Sequence, residues 1–172
     1  NENAGGTILH VDLTAGSAVA KQYPHEFFRT YLGGGGIGTY FLLKETDPNT
    51  GPLSPENILT VAPGLPTGAA VTGVSRCSVT ALSPETGAVG DSQAGGSFGL
   101  DAVVITGRAP VLSYLYIHDG GAEIIEKAEL AGAPVLECFD SLSEAHQGEK
   151  LSILQCGPAG ERMVRFASLA SD

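Results

Sequence analysis

The hydrophobic and polar positions in the first quarter of the chain follow two different periods. Thr7–Leu13 (TILHVDL) alternates apolar and polar side chains as a half-buried strand does, and Ser17–Gln22 follows it after a short turn. These two runs predict a β-hairpin. Pro24–Leu32 and Ile37–Thr46 place aromatic and aliphatic side chains at helical spacing instead. We predict two helices there, with the glycine run Gly33–Gly36 ending the first.

The rest of the chain predicts mainly strands. Short apolar or alternating runs bounded by glycine and proline predict strands at Asn57–Pro63, Arg76–Leu82, Gly87–Asp91, Asp101–Thr106, Ser113–His118, Ala122–Glu126, Leu151–Gln155 and Met163–Leu169. Pro134–Gln147 predicts one further helix. Because strands and helices do not alternate as in βαβ units, the chain is predicted to be a single α+β domain over residues 1–172. The order of elements suggests two halves of similar plan that meet near Gly99.

Composition narrows the classes of partner. The 172 residues, 42% of them hydrophobic, are enough for one domain with a core. The net charge of −10 disfavours nucleic acid and anionic membrane surfaces, since both reward clustered lysine and arginine. No apolar run approaches the ~20 residues of a membrane span. Residues 1–4 (NENA) do not resemble a signal peptide, so we expect a cytoplasmic protein.

The sequence contains no recognisable catalytic or metal-ligating constellation. The three cysteines, Cys77, Cys138 and Cys156, are far apart and form no CxxC pair, and the four histidines are isolated. Neither a nucleophile elbow nor a phosphate-binding P-loop is present. We therefore predict no catalytic residue and no metal ligand among these side chains.

One stretch has the residue types of an anion site. Arg76 begins a predicted strand, and the chain then runs through a Pro/Gly turn to the glycine loop Gly95–Gly99. A guanidinium can bind a phosphate or carboxylate through two hydrogen bonds, and glycine lets the backbone approach a ligand closely. The alternative from the residues alone is an ordinary hairpin with a glycine-rich exit and a surface arginine.

A second glycine pattern, Gly33, Gly35 and Gly38, satisfies G-x-G-x-x-G. A dinucleotide-binding fingerprint requires a strand before the first glycine, whereas residues 27–32 (FFRTYL) predict a helix. A helix end followed by close helix packing explains the pattern without a nucleotide.

Several segments taken together resemble the N-terminal domain of the aldehyde ferredoxin oxidoreductase family, the tungsten or molybdenum bis-pterin enzymes. The matching segments, in chain order, are ILHVDLTAGS at 8–17, YLGGGGIGTYFLLKETDP at 31–48, PLSPENILTVAPGLPTG at 52–68, TGVSRCSVTALSPETG at 72–87, AGGSFG at 94–99, DAVVITGRA at 101–109 and GPAGERMVRFASLASD at 157–172. The resemblance covers nearly the whole chain.

The resemblance implies a part of a larger enzyme. It implies pseudo-duplicated mixed β-sheets with a few helices, arranged as a saddle under a tungsten or molybdenum bis-pterin whose phosphates are bridged by magnesium. Later helical domains of the same protein would supply the [4Fe–4S] cluster and the catalytic groups, so this chain alone would be inactive. The implied reaction oxidises an aldehyde to a carboxylic acid and passes electrons to ferredoxin, and a homodimer is possible. A non-catalytic binding or assembly module of the same fold is the alternative.

The resemblance also implies which residues meet the cofactor. The pterin-contacting arginine of the family matches Arg76. The segment that meets the pterin phosphates and their magnesium matches Gln93, Ala94, Gly95 and Gly96. The family often has asparagine where Gln93 stands, and many relatives carry arginine where this chain has Gly35. The second departure removes one possible cation.

Overall fold

A computed structural model describes residues 5–95 and 98–171, and these residues form ten strands and four α-helices. The strands are β1 (Gly6–Asp12), β2 (Ser17–Tyr23), β3 (Leu59–Pro63), β4 (Arg76–Leu82), β5 (Val89–Gly95), β6 (Ala102–Thr106), β7 (Ser113–His118), β8 (Gly121–Glu126), β9 (Leu154–Cys156) and β10 (Leu169–Ser171). The helices are α1 (His25–Tyr31), α2 (Gly34–Glu45), α3 (Val135–Ala145) and α4 (Pro158–Glu161). None of the helices in this described part is long and apolar enough to cross a bilayer.

The largest sheet has six strands in the order β2-β1-β6-β3-β4-β5. β1 and β6 are parallel, whereas the other neighbours are antiparallel. The mixed sheet with separate helices confirms the predicted α+β class. The predicted division near Gly99 does not separate two sheets, because β6 follows Gly99 in sequence but lies between β1 and β3.

The centre of this sheet is buried on both faces. Ile8 and Val104 pack with Phe41 of α2 on one face. The neighbouring residues Leu9 and Val103 point to the other face, where the β7–β8 hairpin covers them. This two-sided burial is why Asp101–Thr106 (DAVVIT) reads as a continuous apolar run rather than as an alternating one.

α2 packs closely across β3 and β4, and its glycines make the contact possible. A Cβ added at Gly38 would lie 2.3 Å from the Thr80 hydroxyl oxygen, and one at Gly34 would lie 3.4 Å from that of Ser78. The helix therefore begins at Gly34, within the glycine run that was predicted to end the preceding helix. Local propensity disfavours glycine in a helix, but the approach to β4 leaves no room for a side chain at Gly38, and the positive φ of 53° favours glycine at Gly34.

The last part of the chain differs most from the prediction. The strand expected at Met163–Leu169 is wrong, since β10 begins only at Leu169. Met163 has a φ of 57°, and its amide donates to the Gly160 carbonyl at 2.9 Å. A residue in this left-handed conformation interrupts an extended strand, and the hydrophobic pattern carries no signal for it.

Candidate functional site

The strand pair β4–β5 brings together the residues predicted from the sequence. Arg76, the first residue of β4, is the register partner of Gly95, the last residue of β5. Gln93 and Ala94 precede Gly95 on the same strand, so four of the five predicted residues share one strand end. Gly96 lies outside the described residues. The glycine loop was expected to follow a shorter strand, Gly87–Asp91, but β5 extends to Gly95.

Arg76 and Gly95 lie on the face of the sheet that carries α2. The Thr80 hydroxyl donates to the Asp91 carboxylate at 3.1 Å, and these register partners face α2 at Gly38 and Gly35. Side chains two residues apart on a strand share a face, so Arg76 and its partner lie on this face too. Arg76 and Gly95 thus form one end of the α2 face.

Ala94 points to the opposite face. Its register partner is Cys77, which is 5% exposed and whose thiol lies 3.6 Å from the Ala94 carbonyl oxygen. Burial raises the pKa of the Cys77 thiol, which keeps it protonated and a poor metal ligand. Toward a ligand on the α2 face, Ala94 can therefore offer only its backbone.

The N-terminus of α2 arrives at the same end of the sheet. Gly33, just before the helix, forms an isolated bridge with Gly64, and the Gly64 amide donates to the Arg76 carbonyl at 3.1 Å. The first amides of a helix have no partner within the helix and carry its positive dipole end. From the residues alone, this glycine run predicts a helix end and close helix packing, whereas the family resemblance implies a lost cation at Gly35. Its proximity to Arg76 depends on tertiary contacts for which the sequence offers no spacing signal.

Asp91 limits where an anion can lie in this region. A Cβ added at Gly35 would lie 2.8 Å from one Asp91 carboxylate oxygen, so the carboxylate stands beside the first turn of α2. A carboxylate at a helix N-terminus is favoured by the dipole. The same contact explains why residue 35 is glycine here, because a side chain would displace Asp91. An anion is consequently favoured on the Arg76 side rather than on the Gly35 side.

Hydrogen bonds hold the backbone of Arg76, whereas its charged side chain has no ion-pair partner among the described residues. Its carbonyl accepts a hydrogen bond from the Thr67 hydroxyl at 2.8 Å, and its amide donates to Val74 at 3.0 Å. The side chain is exposed and forms no ion pair with any residue in the described ranges. An exposed guanidinium without a partner among the described residues is suited to a phosphate.

The space above Gly95 fits a ligand that approaches the backbone. A Cβ added at Gly95 would find no atom of the described residues within 4 Å, and Gln93 on the same face is exposed. Among the described residues, no group of three or more His, Cys, Asp or Glu side chains could hold a metal ion. The arrangement can therefore bind an anionic ligand through Arg76 and the backbone of the strand end.

The fold and this strand end define an α+β domain in which the exposed Arg76 lies opposite Gly95, a glycine with an accessible backbone. Residues 8–172 match the N-terminal domain of aldehyde ferredoxin oxidoreductase. The chain belongs to this family, which confirms the resemblance found in the sequence.

Curated relatives share this similarity over almost the whole chain. The chain is 40% identical to a tungsten-containing aldehyde ferredoxin oxidoreductase of Pyrococcus abyssi, with 97% of the chain covered, and 36% identical to the corresponding protein of Thermococcus kodakarensis. It is 30% identical to the WOR-like subunit of an aliphatic sulfonate oxidoreductase of Pyrococcus furiosus. The chain spans only 29% of the length of the first two relatives and 30% of the third.

A solved structure confirms the fold. The active-site complex BamBC of benzoyl coenzyme A reductase, solved with 1,5-dienoyl-CoA, matches with a TM-score of 0.91 and 32% sequence identity. The match covers 96% of this chain and 26% of that chain. The whole described domain is therefore a fold that occurs within a much longer polypeptide.

Proposed function

We propose that this chain is the domain on which a tungsten or molybdenum bis-pterin cofactor rests in a longer oxidoreductase. In this proposal the Arg76 guanidinium binds a pterin phosphate. The backbone at Gln93, Ala94, Gly95 and the next residue, Gly96, meets the phosphates and their bridging magnesium. The observation that carries the proposal is the register pair of Arg76 and Gly95 on the α2 face, with open space above the glycine.

The role of this chain is to hold and orient the cofactor. When bound, the cofactor supplies two-electron oxidation of an aldehyde to a carboxylic acid, and the residues here contribute binding and electrostatics. Other domains of the same protein supply the [4Fe–4S] cluster and the catalytic groups, and ferredoxin accepts the electrons in the cytoplasm. The length of the relatives supports this division, since the chain corresponds to 29% of them.

Arg76→Ala in the full-length protein that contains this chain tests the proposal. Losing one hydrogen bond to a charged group costs about 1.5–3 kcal/mol, which corresponds to roughly ten- to hundredfold weaker retention of the cofactor. Tungsten and molybdenum per protein, measured by mass spectrometry, and pterin, measured by fluorescence after oxidation, report that loss. Circular dichroism checks that the variant is folded.

Arg108→Ala is the matched control. Arg108 is also exposed, but it follows β6 at the end of the sheet where β3 begins, away from Arg76. This variant should keep its full metal and pterin content. A folded Arg76→Ala protein that retains as much cofactor as the Arg108→Ala protein would contradict the proposed function.

A further inference from the structure

The backbone at Arg76 is held by a hydroxyl group from the loop that follows β3. The Thr67 hydroxyl donates to the Arg76 carbonyl at 2.8 Å and to the Val74 carbonyl at 3.0 Å. A threonine hydroxyl has a single proton, so the two carbonyls share it in one three-centre hydrogen bond. Thr67 therefore ties two points of the segment that enters β4 to its own loop.

Thr67 is itself held by a tight turn. Its amide donates to the Gly64 carbonyl at 2.9 Å, and its side chain is half-buried. A Cβ added at Gly64 would lie 3.8 Å from the Thr67 hydroxyl oxygen and 3.9 Å from the Arg76 carbonyl oxygen, so the three residues are in close contact. Because threonine is branched at Cβ, it has few side-chain rotamers. The hydroxyl of Thr67 is therefore a well-fixed donor.

Arg76 lies where the pairing of β4 with β3 ends. The register pairs of these two strands end with Pro63 and Cys77, so Arg76 lies one position beyond them. The Gly64 amide still reaches the Arg76 carbonyl at 3.1 Å, and the Thr67 hydroxyl is a second donor to that carbonyl. A carbonyl oxygen has two lone pairs, and these two donors occupy both. Because strand ends open more readily than strand centres, the second donor matters most at this position.

The same turn also connects Arg76 to the start of α2. Gly64 forms the isolated bridge with Gly33, and the turn that begins at Gly64 is closed by Thr67. The contact from Thr67 to Arg76 is made by a side chain, so a substitution can remove it, whereas the backbone donor at Gly64 stays in every variant.

We propose that Thr67 is a positioning residue for Arg76 in cofactor binding. This inference rests on the proposed function, in which the Arg76 guanidinium binds a pterin phosphate. A guanidinium binds phosphate well when its planar fork is aimed at the oxygens, and a binding group must be held to within about 0.5 Å of its productive position. The Arg76 side chain starts from a Cα that the Thr67 hydroxyl holds through the adjoining carbonyl.

The rate at which the full-length protein loses tungsten or molybdenum during dialysis tests this role. Thr67→Val keeps the branched shape but removes the hydroxyl, so metal should be lost roughly three- to tenfold faster than from wild type. Thr67→Ser keeps the hydroxyl and should stay within about twofold of wild type, because only the restriction on its rotamers is lost. Mass spectrometry counts the metal, and circular dichroism checks folding. Thr67→Ala gives the same comparison should Thr67→Val not fold.

Thr106→Val is the matched control. The Thr106 hydroxyl of another half-buried threonine donates to the Val11 carbonyl at 3.2 Å. Thr106 ends β6 at the end of the sheet where β3 begins, away from Arg76. This variant loses the same kind of hydrogen bond and should lose metal at the wild-type rate. Equal rates of metal loss from Thr67→Val and Thr106→Val would overturn the proposal.

A double-mutant cycle separates positioning of Arg76 from a general structural role. If Thr67 acts through Arg76, adding Thr67→Val to the Arg76→Ala protein should not accelerate metal loss further. A full additional acceleration would show that Thr67 acts independently of the guanidinium, which would also overturn the proposal.

The positioning role and the proposed function fail in different ways. Fast metal loss from Arg76→Ala together with a wild-type rate from Thr67→Val would overturn the positioning role alone. A wild-type rate of metal loss from Arg76→Ala would overturn the proposed function, whatever the rate from Thr67→Val.

Discussion

Arg76 lies directly opposite Gly95 in the antiparallel pair of β4 and β5. One residue contributes a free positive charge, and the other contributes backbone that no side chain shields. Register partners in a sheet have Cα atoms about 4.5–5.5 Å apart, so a single phosphate can reach both. This pairing places both groups at one strand end, as the proposed cofactor site requires.

Gly95→Ala should weaken cofactor retention without destabilising the domain. A Cβ at Gly95 meets no atom within 4 Å in the part of the chain that the structure describes, so a methyl group fits there. Exposed substitutions of this kind change stability by less than about 0.5 kcal/mol. The methyl group would occupy the space through which a ligand approaches the strand. Thermal unfolding and metal content of the full-length protein measure the two effects. Gly51→Ala is the control, since an added Cβ there would meet only the Ser54 Cβ, at an ordinary contact distance of 4.0 Å. Equal retention in both variants would place the ligand elsewhere.

Gly38→Ala should destabilise the fold, although alanine is the better helix former. The helix propensity gain is about 1 kcal/mol, but the new Cβ would lie 2.5 Å from the Thr80 Cβ, which is part of a buried strand and cannot move aside. Overpacking of a core costs about 1–3 kcal/mol, so we expect a net loss of up to about 2 kcal/mol in the free energy of unfolding measured in urea. An increase in the free energy of unfolding would show that α2 can shift away from β4.

His10 should make the domain less stable in mild acid. The Nε2 atom of His10 forms a hydrogen bond of 3.0 Å with the Tyr23 hydroxyl, and the ring packs edge-on against Phe41. Burial, and to a lesser extent the nearby Lys21, lower the pKa of His10 from its ordinary value of 6.5. The folded state therefore binds this proton less readily than the unfolded state. The contribution of the neutral His10 ring to the free energy of unfolding is fully present above pH 6.5 and is lost as the pH falls through the lowered pKa.

Urea midpoints measured between about pH 5 and 8 for wild type and His10→Asn check this sign. The wild-type midpoint should fall more steeply below pH 6.5 than that of the variant, whose side chain does not titrate. Parallel pH profiles would mean that the His10 ring is protonated equally easily in both states.

His118 should make the domain more stable in mild acid, the opposite of the effect expected for His10. Its two ring nitrogens lie 3.4 Å from the Asp119 carboxylate and 3.1 Å from that of Glu123, and Tyr116 stacks on the ring. Hydrogen bonds to these two carboxylates raise the pKa of His118 above 6.5. The resulting stabilisation is fully present below pH 6.5 and is lost as the pH rises through the raised pKa. The side chain is 37% exposed, so added salt should reduce the effect.

NMR titration of the His118 ring measures this shift directly. Glu123→Gln should lower the measured pKa toward 6.5, because the amide keeps the shape of the side chain without its charge. Glu126→Gln, on the same strand but without a contact to His118 among the described residues, is the control. A His118 pKa unaffected by Glu123→Gln would show that the ion pair does not persist in solution.

Local sequence signals predicted several elements well. Arg76–Leu82 has the predicted bounds because alternation and flanking loops mark both ends. The two predicted strands Ser113–His118 and Ala122–Glu126 are separated by the turn signal Asp119-Gly120-Gly121, and Asp119 and Gly120 both adopt the positive φ that such a tight turn requires. The failure at Met163–Leu169 has a local cause as well, since the left-handed Met163 replaces the extended backbone that its apolar neighbours suggest.

By itself the sequence determined the family, the α+β class and the residue types of the candidate site, because side-chain periodicity, turn residues and motif order are local properties. Only the tertiary structure decided that β6 lies between β1 and β3, and that the start of α2 meets the strand end at Arg76. These contacts join distant segments largely through backbone hydrogen bonds and close glycine packing. Backbone groups are the same in nearly every residue. The order of side chains therefore carries little information about which distant segments these backbone hydrogen bonds will join.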